Sequence, residues 1–301
     1  MKNPLHNRNV RKIGGKILYG LSFFDHVSSS KKSMLISSSK QAIKMDQRLC
    51  IYVTYAESAL SPTSIDLVKE LTQLGFEVIH INNIDTKEKA DSGPHTPTYQ
   101  RKNFGYDLGA VRDGLQLLPQ YPTELLVLNS SVLYFAGGLG GLLEKARSSS
   151  LDVVGITESL QTRRHIQSYF FYSKTEIGIR SLIYEYGRMR NWRTKRAAVA
   201  FGELKMMGNM ISRNTQVGTL VPYHDLATAA LQNPNLVDSK VLIELKMEHN
   251  LNPTQHLWMV LFYFGMPFIK KTLLQDNPAR VSNKPENFTE ASEVFRSVSM
   301  I

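Results

Sequence analysis

A single cysteine, Cys50, is the whole thiol complement of this 301-residue chain. An intramolecular disulfide and a cysteine-based zinc site are therefore both excluded, and a reducing, cytoplasmic setting is expected. Long apolar runs are also lacking. The strongest, Leu257–Ile269, contains Pro267 and is about half of the ~20 residues that a membrane-spanning helix needs. Ile17–Phe24 follows a basic stretch in the manner of a signal peptide, but it is short and no small-residue cleavage site follows, so export is not expected. No dinucleotide-binding glycine pattern, phosphate-binding P-loop, metalloprotease helix or serine nucleophile elbow occurs, and the histidines are scattered without metal-ligand spacing. What is present is ordinary: 42% hydrophobic, 21% charged and 9% aromatic residues, the balance of a folded globular chain. The length suits one α/β catalytic domain with a smaller appended region.

The formal net charge of +10 is concentrated at the front, where residues 1–47 carry nine positive side chains against two negative ones. Ile17, Leu18, Tyr19, Leu21, Phe23 and Phe24 are interleaved with that charge. Such an arm suits peripheral docking on anionic lipid headgroups, where each basic residue contributes about 1 kcal/mol. It equally suits a solvated or packing arm. Nucleic acid is not expected as a partner, because no aromatic RNA-binding signature or zinc-finger spacing accompanies the charge.

Beyond the arm, Leu49–Tyr55 (LCIYVTY) reads as a buried parallel strand. A helix is expected from Pro62 to Gly75 on the stripe Ile65, Val68, Leu71 and Leu74, then a strand at Phe76–Ile81 and a polar loop over Asn82–Thr98. Lys102–Leu118 reads as a loop-to-helix junction, Leu125–Leu128 as a strand, Leu139–Arg147 as a helix and Asp152–Ile156 as a strand. Strands and helices alternating at these intervals predict a Rossmann-type, mostly parallel sheet with helices on both faces. Ligands of such sheets bind beyond the carboxyl ends of the strands. The predicted division is a basic arm (1–47), a catalytic domain (48–225), a helical C-terminal region (226–280) and a tail (281–301).

Asn103–Asp107 and Asn129–Ser131 would lie at those carboxyl ends, and they open a series of polar motifs in chain order: Asn103-x-Gly105-Tyr106-Asp107, Asn129-Ser130-Ser131, His165-x-Gln167-Ser168-Tyr169, Gly202-Glu203 and Pro267-Phe268-Ile269-Lys270-Lys271. Their order resembles the rhamnan synthesis F family of polysaccharide-building glycosyltransferases, whose pattern runs N-x-G-Y-D, a strand ending in L-N-D/S-S, H-x-Q-S-Y and P-F-I-K before L-L-x-D-N-P. Here the last of these is PFIKKTLLQDNP at Pro267–Pro278, and the resemblance covers residues 49–280. It implies a GT-A-like fold, a nucleotide-diphospho-sugar donor, possession of Mg²⁺ or Mn²⁺ at a strand-end acidic triplet, and a surface polysaccharide such as a rhamnan or O-antigen. The implied setting is the cytoplasmic face of the membrane, with a glycan or lipid-linked glycan as acceptor.

Individual roles follow from residue chemistry. The helix beginning near Asp107 offers unpaired N–H groups to a diphosphate, while Asn103 and Asp107 can hydrogen-bond ribose, base or sugar hydroxyls. Asp107 also suits a plain helix cap. Asn129-Ser130-Ser131 stands where the wider GT-A transferases, which the motif order also resembles, place metal-binding carboxylates, and amide and hydroxyl oxygens are weaker ligands for a hard cation. Metal dependence is thereby in doubt, with Asn129 and His224 as weak candidate ligands. Arg163, Arg164 and His165 are candidate donor-phosphate contacts, or an exposed pair beside a structural histidine. Glu203, matched to the family's carboxylate at a helix start, is the candidate general base of an inverting transfer, with Asp225 in reserve. Its other reading is a favourable charge on a first helical turn. Two rival functions stay open: a nucleotide-sugar-binding scaffold without turnover, and a basic protein acting through its arm.

Overall fold

In the computed structural model, residues 35–38, 48–55, 60–84 and 98–299 are described. The basic arm lies outside them apart from one short strand, and so does most of the expected 82–98 loop. The chain order is β1 (Leu35–Ser38), β2 (Arg48–Tyr55), α1 (Pro62–Gln73), β3 (Glu77–Ile84), β4 (Thr98–Lys102), α2 (Tyr106–Leu115), β5 (Glu124–Asn129), β6 (Val132–Tyr134) and α3 (Leu139–Ser148). There follow β7 (Val153–Ser159), β8 (His165–Ile166), β9 (Phe170–Ser173), α4 (Glu176–Gly187), α5 (Lys195–Ala198), a π-helical turn (Val199–Glu203) and α6 (Leu204–Ile211). The remainder is β10 (Val217–Val221), α7 (Tyr223–Gln232), α8 (Ser239–Lys246), α9 (Pro253–His256), α10 (Trp258–Tyr263), β11 (Phe268–Lys270), α11 (Lys271–Gln275) and α12 (Phe288–Val298).

The main sheet has the order β1-β4-β3-β2-β5-β9-β7-β10, with β8 on β7. β2, β3, β4 and β5 pair in parallel, β9 is inserted antiparallel between β5 and β7, and β10 runs parallel to β7. Along that path only β1 and β9 reverse the common direction, so the sheet is mostly parallel, as expected. Its two faces follow from the period of two along each strand. Cys50 and Tyr52 of β2, Leu126 and Leu128 of β5, and Phe170 and Tyr172 of β9 join one core cluster with α1, α3 and the C-terminal helices. Leu49, Ile51, Val53, Leu125, Val127 and Phe171 join the opposite cluster with α2, α4 and α6. Helices thus cover both faces, giving an α/β fold.

Local chemistry sets the element ends. In α1, Ser61 is the N-cap, its hydroxyl accepting from the Ser64 N–H at 3.3 Å, and Pro62 occupies the first turn. Its buried stripe is Ser64, Leu67, Val68 and Leu71, one step round from the expected one, which leaves Ile65 exposed. β3 runs three residues past its expected end, and polar β4 occupies a stretch where no strand is expected. The 281–301 segment, expected as a tail, contains α12, whose Phe288 and Phe295 stack on Phe135 at 5.0 and 5.1 Å. Asn287 caps that helix and the Glu290 carboxylate accepts from the Glu286 N–H, a capping arrangement that the N-F-T-E sequence announces. No helix among the described residues is long and apolar enough to cross a membrane.

Candidate active site

The parallel register brings Asn129 of β5 opposite Val53 of β2, and Arg101 of β4 opposite Asn83 of β3, so the carboxyl ends of these strands form one edge. Over that edge opens a cavity of about 810 Å³. Its wall takes Asn103, Tyr106 and Asp107 from the β4–α2 junction, Asn129, Ser130 and Ser131 from the end of β5, Ser168 before β9, Lys195 and Glu203 from the α5–α6 helical stretch, and Lys270 from β11. Four of the five motifs separated in the sequence thus meet in one place through lining side chains, and Ser168 brings in the fifth.

The β4–α2 junction is held in an unusual backbone. Gly105 has φ 77° and the bulky Tyr106 has φ 53°, a conformation that costs a non-glycine residue on the order of 1–3 kcal/mol. A side chain at Gly105 would come within 2.9 Å of the Arg190 carbonyl, and its own N–H donates to the Trp192 carbonyl at 2.7 Å. The Tyr106 hydroxyl is anchored on the Arg193 carbonyl at 3.0 Å. Gly105, not Asp107, is the N-cap residue of α2, and no side chain caps the helix. Asp107 therefore does not serve as the helix cap. Its half-buried carboxyl is pushed up from the usual carboxylate range by burial, a shift opposed by the Lys270 and Lys195 ammoniums and reinforced by the Glu203 charge.

Glu203 is not at a helix start. Thr194 caps α5, and the helix runs on through the π-helical turn that Glu203 ends, directly into α6. Such turns are frequent at functional sites because the inserted residue re-aims a side chain. A Cβ at Gly202 would lie 2.4 Å from a terminal methyl of Leu108 of α2, so any larger residue there would have to displace that side chain. The Glu203 carboxylate accepts from the Ser168 N–H at 2.9 Å.

At the end of β5, the Asn129 side-chain oxygen accepts from the Ser131 N–H at 3.0 Å and its nitrogen donates to the Ser168 carbonyl at 3.1 Å. The Ser131 hydroxyl accepts from the Lys270 ammonium at 2.9 Å. Lys270 lies 5.5 Å over the Tyr169 ring, and burial pushes its pKa down, against the pull of the Glu203 and Asp107 carboxylates. A divalent cation does not fit this triplet. It offers no carboxylate, its amide is committed on both atoms, and an ammonium already stands against its hydroxyl. Among the described residues no group of three or more His, Cys, Asp or Glu is arranged to hold a metal ion.

Six sequence candidates stand apart from the cavity wall, the first being Gly105, which packs against the Arg190 and Asn191 backbone behind it. Arg163 and Arg164 are exposed, and Arg164 pairs with Glu158 at 2.7 Å. His165 is buried on β8 with its Nδ1 against the Arg163 carbonyl at 2.8 Å, a structural role. His224 and Asp225 are exposed on the first turn of α7, which follows edge strand β10. Sequence reasoning missed Ser168, Lys195 and Lys270 as site residues. Ser168 sits three positions from His165, chosen in the same motif, and Lys270 lies in a motif from which no side chain was chosen; Lys195 carries no local signal, because only the fold brings it to the cavity.

No family model matches the chain. Virulence protein VirA of Vibrio anguillarum is 29% identical over 215 residues, covering 66% of this chain and 67% of VirA. The uncharacterized protein y4gN of Sinorhizobium fredii is 24% identical over 217 residues, 68% of this chain and 56% of its own length, so the chain spans about half of that relative. Among solved structures, the glycosyltransferase GlyE of Streptococcus pneumoniae TIGR4 aligns with a TM-score of 0.37 at 10% identity over 84% of this chain and 60% of GlyE. The 4-diphosphocytidyl-2C-methyl-D-erythritolsynthase of Anaerococcus prevotii aligns at 0.35 and 13% identity over 58% of this chain and 89% of that one. Likeness at this level assigns no chemistry to the chain.

Proposed function

We propose that the chain is a glycosyltransferase, which binds a nucleotide-diphospho-sugar in the cavity and moves the sugar to a hydroxyl of a growing surface polysaccharide of the rhamnan or O-antigen kind. The observation that carries this reading is the convergence of Asp107, Glu203, Lys195 and Lys270 in one cavity of about 810 Å³ at the carboxyl ends of the sheet. The place is where open α/β sheets bind ligands, and the size is that of a small-molecule site. Its chemistry matches both needs of sugar transfer: ammoniums for a diphosphate, and a carboxylate for the acceptor proton. The motif order that resembles the rhamnan synthesis F family supports the same reading, and a surface glycan accords with a relative named for virulence.

In the transfer step, the acceptor oxygen forms a bond to the anomeric carbon while the bond from that carbon to the diphosphate oxygen breaks. The electron pair leaves with the diphosphate, and the acceptor proton passes to Glu203. A base acting on the side opposite the leaving group gives inversion. Asp107 and Asn103 hold hydroxyls of the donor, and the α2 amino terminus faces its negative charge. Glu203→Gln tests the assignment. Turnover is expected to fall by about 10²–10⁴-fold while donor binding persists. Unchanged turnover would remove Glu203 as the base, and donor binding with no turnover in the native protein would favour a scaffold.

A further inference from the structure

We propose that Lys270 takes the place of a divalent cation in this site, so that the donor diphosphate is held, and its leaving charge neutralised, without metal. The inference rests on the nucleotide-sugar reading above. β11 pairs with β6 so that Lys270 lies opposite Val132, and the Lys271 N–H donates to the Ser131 carbonyl at 3.0 Å. That ribbon delivers the Lys270 ammonium to the triplet at the end of β5, the position to which the carboxylate pattern would assign a metal. One of its three N–H groups goes to Ser131, at 2.9 Å, and the side chain lines the cavity with Asp107, Glu203 and Lys195.

Charge balance favours the same assignment. The groups that act on Lys270 are the carboxylates of Glu203 and Asp107 and the ammonium of Lys195. With Arg193 and Lys271 also on the wall, four cations face two carboxylates, so the cavity lacks the surplus of carboxylates that retains a free dication. A lysine as point charge needs no such surplus and binds phosphate oxygens by charge-assisted hydrogen bonds. As the bond between the anomeric carbon and the diphosphate breaks, the departing electron pair resides on an oxygen facing a fixed ammonium. Arg163 and Arg164, the basic pair singled out by the sequence, lie outside the cavity and do not supply this charge.

The test is calorimetric titration of the full chain with uridine, thymidine and guanosine diphosphates and the matching nucleosides, in EDTA and then with Mg²⁺ or Mn²⁺. It compares the native protein with Lys270→Met and Lys270→Arg. At least one diphosphate is expected to bind in EDTA, with less than about twofold tightening on adding metal. Lys270→Met should weaken that diphosphate by about 10–100-fold, the worth of a hydrogen bond to a charged group, and leave nucleoside binding intact, which also reports that the variant is folded. Lys270→Arg should recover most of the loss. Diphosphate binding that appears only with metal, or that survives Lys270→Met, overturns the inference and leaves the nucleotide site standing. Absence of binding to every nucleotide under every condition overturns both.

Discussion

Helix α2 carries two aspartates, six positions apart, in two very different surroundings. Near its carboxyl end, Asp113 takes the Arg101 guanidinium at 2.8 Å on one oxygen and, on the other, Arg112 through Nε at 2.8 Å and through its terminal nitrogen. The two arginines then donate to Asn83, the Phe104 and Met189 carbonyls and Asn191. Arg101 is wholly buried, and although two guanidiniums share one carboxylate, their remaining N–H groups are taken up by neutral acceptors within the protein. At the amino end, Asp107 belongs with Glu203, Lys195 and Lys270 to a cluster whose members interact chiefly through space and face a cavity. Polar groups satisfied by partners within the protein fix the loop between β4 and α2 in place, and Arg101 acts through space on Asp107 as well. Charge left facing a cavity beside it is available to a ligand, and the first arrangement makes the second durable.

Breaking the closed cluster should give the largest effect. Asp113→Ala leaves two buried guanidiniums without their carboxylate and is expected to cost about 3–5 kcal/mol, visible as a fall in Tm in thermal melting, with lost ligand binding as a secondary consequence. Neutralising the aspartate of the open cluster should behave in the opposite sense. Asp107→Asn removes a charge that burial disfavours, so the fold should be at least as stable as the native one while donor affinity falls by about tenfold or more, the worth of hydrogen bonds to a charged group. Melting and titration on one protein sample separate the two phenotypes.

The pH dependence sharpens the contrast. Folding raises the Asp107 pKa, so the native state holds that proton more tightly than the unfolded chain does. The stability it contributes is complete below the ordinary carboxylate range and is lost as pH rises through the raised value. Asp107→Asn should flatten that part of a melting-temperature profile. Lys270 is shifted down, so donor binding should fade at a pH below the ordinary lysine range in the native protein and persist to higher pH in Lys270→Arg. The smallest effect on the site is expected at Arg164→Ala. Arg164 is exposed but its partner Glu158 is buried, so losing the pair should cost the fold about 1–3 kcal/mol, while donor affinity should not change.

What was legible in the sequence divides along the same line. β2 and β5 are apolar on both faces and were visible as strands because both faces are buried under helices. β4 was not, because its Thr98-Tyr99-Gln100-Arg101-Lys102 carries polar side chains inward. They are tolerated there only because partners from other strands meet them: Arg101 reaches Asn83 at 2.6 Å, and Thr98 contacts His80, which burial pushes down to about 4 and so keeps neutral. Asn103, Asp107, Asn129 and Glu203 could be singled out because each lies in a short polar motif at an element end or a glycine. The position of Glu203 within a π-helical turn was hidden, since nothing local marks an inserted residue. Lys195 was hidden for a different reason: an exposed basic residue in a basic stretch (NWRTKR) has no local feature that distinguishes a ligand contact from a solvated side chain.

The central claim is that the open cluster is a nucleotide-sugar site, and titrating the native protein and Asp107→Ala with a panel of nucleotide-sugars tests it most directly. Micromolar binding of one donor by the native protein, lost in Asp107→Ala with the melting temperature preserved, is the predicted result. Donor binding that is undiminished in Asp107→Ala, or no binding of any donor by the native protein, would contradict it.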